Sequence, residues 1–363
     1  MHIENRLQAL RNSQRLSAAK LATLAGTTRQ TIHAMEAGNF VPNTALALQL
    51  ARALDVAVEQ IFSIPPEPSA RSVRAELLEN VTTGQPVRLC RVDRRLLAIP
   101  ASPVPAYLPC VDGVVERCHN RFARVTVPAI RGDANRLVLA GCDPALSLLN
   151  DLLERSGIEI VTVPSSSRQA LAWLKQGRVH AAGSHLLDRA TGEYNLPFIR
   201  RAFRVPAVKV VTFASWEQGF VVRAGNPKNV RSFADLARKN VTLINRAKGS
   251  GSRDLLDHGL RDAGISSLRV NGYDSVARGH LAAAYAVAAG TADCCIASRS
   301  AARSFGLDFI PLANERFDLA FTRDSLESAW AKTLLDLLNR SQLRKKLELI
   351  AGYDTSQTGR VLL

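Results

Sequence analysis

Ser17–Gly38, SAAKLATLAGTTRQTIHAMEAG, decides how the front of this 363-residue chain folds. It reads as two short helices joined by a tight turn. Ser17 and Thr28 each stand at a helix start, where a hydroxyl can accept a free amide from the first turn. Ala22 is small where two helices cross closely, Gly26 suits a positive φ in the turn, and Ile32 falls on the inner face of the second helix. That order fits a helix-turn-helix, whose second helix enters the DNA major groove. A structural helical hairpin fits the same pattern, so the flanking residues carry the decision.

Residues 1–64 predict five helices. The first runs from about Ile3 to Gln14, with Ile3, Leu7 and Leu10 on one face. After the quoted pair, Pro42 and Asn43 set the start of a fourth helix striped by Leu46, Leu50, Ala51 and Leu54. VAVEQIF, residues 56–62, closes the unit. The pattern LAxxAGTTRQTIxxxExG, the proline after it and ALDVAVEQIF together resemble the Cro/C1 (XRE-type) DNA-binding domain of phage repressors. The resemblance implies that Thr28, Arg29, Gln30 and His33 face DNA. Arg29 then suits guanine O6/N7 and Gln30 adenine N6/N7. Thr27, Asn39 and Asn43 are backbone-positioning residues on the same reading. His33 also fits an ordinary exposed helix position. Ala18 stands where that family usually has Gln.

Hydrophobic residues make up 47% of the chain, enough for ordinary cores, and no run of eighteen apolar residues offers a membrane span. MHIENRLQALRNSQ is amphipathic and lacks a signal-peptide core, so a cytoplasmic protein is expected. Six cysteines follow no disulfide or zinc spacing. Cys110, Cys118 and His119 form a conceivable metal set, with reduced structural thiols as the plainer reading; no cofactor is expected. The net charge of +15 suits anionic partners, although a generally arginine-rich proteome gives the same excess. Residues 1–64 hold six Lys/Arg against four Asp/Glu, and residues 135–363 hold thirty-one against twenty-one. The charge is therefore not the footprint of the DNA-binding end alone.

Residues 65–75, PPEPSARSVRA, read as an extended linker. Residues 76–134 predict a small β-rich module with strands in VRLCRV, RLLAIP, GVVERC and FARVTV. From 135 to 363 strands and helices alternate, an α/β pattern with mostly parallel strands. In such sheets ligands sit beyond the carboxyl ends of strands, at helix starts. Four corners qualify: Gly141–Pro144 with Asp143, Ser165–Ser167, Asn245–Arg246 running into Gly249–Arg253, and the stretch from Tyr273 to His280. Small residues let a ligand approach the backbone, and hydroxyls with first-turn amides serve an anion. Helix capping explains Asp143 first, and explains Ser165 and Ser166 as readily as ligand contact does. In GSGSR two glycines flanking a serine exceed what a cap needs, which favours Ser250, Gly251, Ser252 and Arg253 as a binding loop; it lacks the P-loop spacing. His185 fits either a ligand contact or a buried residue. Ser184, His185 and Asp188 make no triad, since neighbours on a strand face opposite ways. No nucleophile–base pair is visible.

AGCDPAL, AAGSHLLDRATGEYN, EQGFVVRAGNP, VTLINRAKGSGSRDLLDHGL, AAAYAVAAGTADCCIA and LDFIPLANERFDL resemble a type II periplasmic-binding-protein fold, in particular the cytoplasmic molybdate-binding-like domain. The resemblance covers about residues 135–325. It implies two lobes closing on a small molecule, Ser250 and Ser252 in one, Asp143, Ser166 and His185 in or near the other. Cys142 stands where relatives carry a serine-like residue. The expectation is a multidomain, ligand-responsive DNA-binding regulator, a homodimer, sensing a small anion such as molybdate or tungstate. An organic anion or a pterin-type metabolite is the alternative ligand: Arg246 and Arg253 suit a carboxylate or phosphate, and Tyr273 suits a ring. An interaction adaptor without DNA binding is the alternative function; an enzyme has no visible machinery.

Overall fold

A computed structural model describes residues 4–63, 71–101, 110–128, 135–204 and 207–363. The chain divides into two compact units, 1–71 and 72–363.

The first unit begins with β1 (Glu4–Asn5) and α1 (Leu7–Ser13), continues with α2 (Ala18–Leu24), α3 (Arg29–Glu36), α4 (Thr44–Leu54) and α5 (Val58–Ile61), and ends in β2 (Phe62–Ser63). The five helices are as expected, with one correction. Residues Glu4 and Asn5 are not helical but pair antiparallel with Ser63 and Phe62. Asn5 then stops the extended stretch, its Oδ1 accepting the Leu7 amide at 2.8 Å. Three side chains cap helices as their types predict: Ser17 accepts from Lys20 N–H, Thr28 from Thr31 N–H and Asn43 from Leu46 N–H. Gly26 has φ +60° in the turn between α2 and α3. Leu7, Leu21, Ile32, Met35, Leu50, Leu54 and Ile61 form one buried core. Arg11 ties α1 to α3 through a 2.6 Å ion pair with Glu36, and that core plus this pair fix the α3 axis.

The second unit starts with a closed five-stranded barrel: β3 (Arg71–Leu77), β4 (Pro86–Val92), β5 (Arg95–Pro100), β6 (Gly113–His119) and β7 (Phe122–Val127), in the order β3-β5-β4-β6-β7. The β-rich expectation holds, but residues 71–75, read as linker, are the first half of a barrel strand. Its alternation is real, since Ala75 and Leu77 are buried in the barrel core; the arginines at 71 and 74 and Glu76 hide it. Linker residues 65–70, and residue 64 before them, lie outside the described residues. Nor is the barrel a free-standing module. Leu78, Cys90, Val92, Leu97 and Ile99 share a core with Val138, Val161 and Leu171 of the following domain. Beside it Arg136 joins Asp112 at 2.6 Å to Glu159 at 2.7 Å, and Arg88 pairs with the same two carboxylates.

The remaining elements are β8 (Arg136–Gly141), α6 (Asn150–Glu154), β9 (Glu159–Pro164), α7 (Ser167–Lys175), β10 (Ala181–Ser184), β11 (Leu187–Asp188), β12 (Glu193–Tyr194), α8 (Leu196–Ala202), β13 (Val208–Val222), β14 (Leu243–Arg246), α9 (Gly251–Asp262), β15 (Val276–Ala277), α10 (His280–Ala288), β16 (Cys294–Ser298), α11 (Arg299–Ser304), β17 (Asp308–Thr322), α12 (Ala329–Asn339) and α13 (Ser341–Lys346). One mixed sheet of eight strands runs β15-β14-β16-β13-β17-β10-β8-β9. Its outer pairs, β8 with β9 and β10, β14 with β15 and β16, are parallel as expected. Its centre is not. β13 and β17 pair antiparallel over fourteen positions, from Val208 opposite Thr322 to Val222 opposite Asp308. Each belongs to both halves of the sheet, and each half has its own cores, around Leu137, Phe213 and Phe317 on one side and Phe220, Leu243 and Leu256 on the other. The register slips between Gln218 and Gly219.

At that slip the two backbones come close. A Cβ on Gly219 would lie 2.1 Å from the Ile310 carbonyl oxygen, an atom that cannot rotate away. Gly219→Ala is expected to destabilise this unit by about 1–3 kcal/mol through overpacking, read as a lower midpoint in urea with an unchanged m-value. An unchanged midpoint removes the close approach as a constraint.

Candidate functional site

In the first unit the exposed side of α3 carries the predicted DNA-facing residues. Thr28, Arg29, Gln30, His33, Asn39 and Asn43 are exposed and Thr27 is partly so. Arg29 Nε lies 3.3 Å from His33 Nε2, one turn on, so the two share one stripe of the helix. Ile32 and Met35, on the opposite side, are fully buried, which leaves the stripe no freedom to rotate inward.

In the second unit three of the four expected corners line a cleft of about 230 Å³, whereas Asp143 of the Gly141–Pro144 corner, His185, Gly251 and Ser252 are not among its lining residues. Ser165, Ser166 and Gln169 line it from β9 and α7, and Arg246, Lys248, Ser250, Arg278 and Gly279 from the other half; Glu79 reaches it from the end of barrel strand β3. The cleft floor is buried and polar. Arg246 is only 3% exposed, and its Nε and Nη1 have no hydrogen-bond partner among the described residues. No carboxylate of the described residues makes an ion pair with it. Ser165 Oγ, in the cleft lining, and Ser252 Oγ and His280 Nε2, outside it, are likewise buried without a partner, as are the acceptor atoms Asp143 Oδ2 and Gln218 Oε1. His280 has a defined tautomer. Its Nδ1 accepts the Ser298 amide at 3.1 Å, so Nε2 carries the hydrogen and faces inward as a donor. Burial, then the nearby Arg246 and His185 charges, hold its pKa well below the ordinary histidine value, so it stays neutral.

Beside these donors lies a chain of hydrogen bonds. Cys142 Sγ sits 3.1 Å from His185 Nε2, His185 Nδ1 lies 2.5 Å from Glu315 Oε2, and Gln218 Nε2 donates to that same oxygen at 2.5 Å. Burial opposes charge on His185, yet Cys142 and Glu315 outweigh it and raise the pKa to about 10. Burial pushes the Cys142 thiol up, but His185 and then Arg246 overcome it, and its pKa falls below the ordinary thiol value. Asp143 caps the 3-10 turn at Pro144, accepting the Ala145 amide at 2.8 Å, and also accepts from Tyr353 Oη at 2.7 Å. Burial lifts its pKa to about 6 despite those two bonds.

The sequence reading saw no nucleophile–base pair. The structure corrects this: Cys142 and His185, 43 residues apart, are in contact because the ends of β8 and β10 are neighbours in the sheet. Ser184 and His185 do face apart, Ser184 donating to Asn195 and Asp188 pairing with Arg201. Cys142, His185 and His280 bring three potential ligand atoms within 4.8 Å of one another. Their hydrogen bonds argue against a metal. His280 Nε2 carries its proton, and both His185 nitrogens are engaged. Cys110, Cys118 and His119 form no such cluster among the described residues, and both thiols are exposed.

The GSGSR loop performs three tasks. Ser250 caps α9, accepting the Arg253 amide at 3.3 Å. Gly251 abuts His185, whose Nδ1 would lie 2.5 Å from any Cβ there. Ser252 supplies an unpartnered hydroxyl. Arg253, Tyr273 and Asn245 do not meet in the cleft. Arg253 lies 4.0 Å over the Tyr273 ring and pairs with Asp257 at 3.1 Å, and Tyr273 Oη also donates to Asp257. Asn245 donates to the Tyr273 carbonyl and accepts the Arg246 amide, which aims the Arg246 backbone. Glu315 and Gln218 were missed as site residues, and His280 was reached only as the end of the Tyr273–His280 corner; only the β13–β17 register, which no local pattern reveals, brings Gln218 and Glu315 together.

Residues 5–61 match a helix-turn-helix domain model. Over 65 residues the chain is 35% identical to YgzD of Bacillus subtilis, an uncharacterized HTH-type transcriptional regulator, covering 18% of this chain and 98% of that protein. Over 228 residues it is 32% identical to the uncharacterized protein YvgK of Bacillus subtilis, covering 62% of this chain and 73% of that one. Among solved structures, the tungstate ABC transporter from Geobacter sulfurreducens aligns at 17% identity with a TM-score of 0.43, over 60% of this chain and 98% of that one. No described helix is long and apolar enough to cross a membrane. The PBP superfamily domain model matches residues 150–339, more than half of the chain, and the chain belongs to that superfamily.

Proposed function

We propose that this chain is a one-component transcriptional regulator of XRE type. Its helix-turn-helix domain binds operator DNA as a homodimer in the cytoplasm, and its PBP-like domain senses a small anion. The observation that carries the ligand class is the buried Arg246 guanidinium with two unpartnered N–H groups. A buried cation that no carboxylate or acceptor hydrogen-bonds is unfavourable, and an anion in the cleft lowers that cost. Among the unpartnered groups, Ser165, Ser252 and His280 Nε2–H can donate to an oxyanion, while Asp143 Oδ2 and Gln218 Oε1 are acceptors. Molybdate or tungstate is the leading candidate. The cleft volume and its outer Lys248 also accommodate a larger organic anion, which keeps a pterin-type or carboxylate ligand as the second reading.

On DNA, paired recognition helices read two half-sites about one helical turn apart, or a multiple of it, and Arg29 and Gln30 supply the base contacts. An anion that binds the two arrangements of the PBP-like domain unequally then shifts the population that holds DNA.

Two measurements test this. Titration calorimetry with molybdate, tungstate, sulfate and phosphate should give heat with at least one. At a hundredfold excess over Kd that anion should stabilise the protein by about 2.7 kcal/mol. Arg246→Met should abolish the heat without lowering the unliganded melting temperature, because it removes an unpaired buried charge. Heat retained in that variant rejects Arg246 as the anchor. Selection from a random DNA pool should enrich a two-fold sequence, and Arg29→Ala or Gln30→Ala should each weaken binding to it by about 1–3 kcal/mol in fluorescence anisotropy. Failure to enrich any sequence favours the adaptor reading.

A further inference from the structure

The anion site contains an anion-forming group of its own. We propose that Cys142 is the resident counter-charge of the empty site, and that an anionic ligand binds together with one proton taken up by the Cys142–His185 pair. This rests on the anion-sensing reading above.

The geometry sets the proton count. Glu315 Oε2 already accepts from Gln218, so His185 donates to it through Nδ1. A single proton then remains for the 3.1 Å contact between His185 Nε2 and Cys142 Sγ. Whether it rests on nitrogen or sulfur, the pair titrates as one coupled unit. With the proton on nitrogen, the sulfur is a thiolate whose charge the field of Arg246 also favours. The buried thiol falls below its ordinary value for that reason, His185 contributing most among the favourable partners and Arg246 next.

The surroundings identify this pair as the responsive one. Cys142 is faced by His185 from the end of β10, Arg246 from β14, Asp143 at its own corner, His280 from α10, Tyr353 from the C-terminal segment and, through His185, Glu315 from β17. Tyr353 is held well above its ordinary value by burial and then Asp143, so it stays protonated. His280 stays neutral. Asp143 titrates near 6. The Cys142–His185 pair, joined by one shared proton, is the group that remains to respond. An anion at Arg246 adds negative charge beside the sulfur and raises the proton affinity of the pair. The balanced step is a pair with one proton, plus anion, plus one solvent proton, giving a pair with two protons and a bound anion. No bond to sulfur forms and nothing is oxidised.

The sign follows from linkage. Because the occupied site holds one proton more, affinity falls as pH rises, by about tenfold per pH unit around pH 8, where the test is run. Molybdate itself carries no titrating proton there, so the slope belongs to the protein. The test is calorimetry of the full chain with molybdate, tungstate, sulfate and phosphate at pH 8, in buffers of different ionisation enthalpy. Such a series counts protons without any variant. The expected result is uptake of one proton per anion, together with a fall in thiolate ultraviolet absorbance on saturation. Cys142→Ser should still bind the anion, with the uptake and the absorbance change both lost. Heat without proton uptake overturns this inference and leaves the anion sensor standing. Uptake that persists in Cys142→Ser assigns the proton elsewhere and overturns it as well. No heat with any of the four anions overturns both.

Discussion

Two fifteen-residue strands, β13 and β17, paired antiparallel along almost their whole length, hold the second unit together. Each half of the sheet is built outward from this ribbon. β10, β8 and β9 add to one side, β16, β14 and β15 to the other. A two-stranded ribbon twists strongly, and the slips at Thr212/Ala214 and Gln218/Gly219 concentrate its irregularity between the halves. Trp216, Gln218, Glu315 and Phe317 come from this same middle stretch. His185, whose ring stands 5.1 Å from Trp216 and 6.1 Å from Phe317, is therefore gripped by the ribbon rather than by either half alone. The part of the molecule that joins the halves is also the part that presents the charged cluster.

Charge in that cluster is distributed unevenly. Glu315 and Cys142 both serve His185, and Asp143 spends its bonds on Tyr353 and a backbone amide. Arg246 is left with no hydrogen-bonded carboxylate among the described residues. Buried polar groups in folded proteins nearly always find partners, so several unpartnered groups gathered in one place mark something the site holds in function. All the corners that face it are helix starts or strand ends, where backbone donors also point inward. Arg253 makes the contrast clear. It sits seven residues further on and is equally buried, yet it has Asp257 and Tyr273 as partners. It is structural because its charge is answered.

How much of this was legible in the sequence follows from the range of each signal. Caps are local, and Ser17, Thr28, Asn43, Ser166 and Ser250 cap helices as their positions predict. Parallel strands followed by helices repeat a short pattern, and those were readable. The ribbon was not. Residues 208–222 form one strand buried on both faces, so no alternation of apolar and polar residues advertises it. Strand β3 was missed for the opposite reason, its arginines masking an alternation that burial later reveals. Arg246 and Ser250 could be placed at the cleft because strand-end corners bind ligands in this architecture. The Cys142–His185–Glu315 chain could not, since its members are 43 and 130 residues apart and meet only through sheet order.

The same geometry bears on how an occupied site could matter to the rest of the domain. Across the cleft the halves are joined by Arg168 with Asp254 at 3.0 Å, Arg189 with Asp262 at 3.5 Å and, from the barrel side, Glu79 with Arg278 at 3.2 Å. Each pair has an exposed arginine, and such pairs contribute little individually. Against them stand the unanswered donors Arg246 and Ser165, one from each half, which are costly while nothing hydrogen-bonds them. In the proposed function an anion reaches both only when the halves are as close as they are here, so it favours this arrangement over any in which they part. That difference is the quantity a ligand needs in order to shift a population, and here it arises from placing donors in two bodies that meet at a single ribbon.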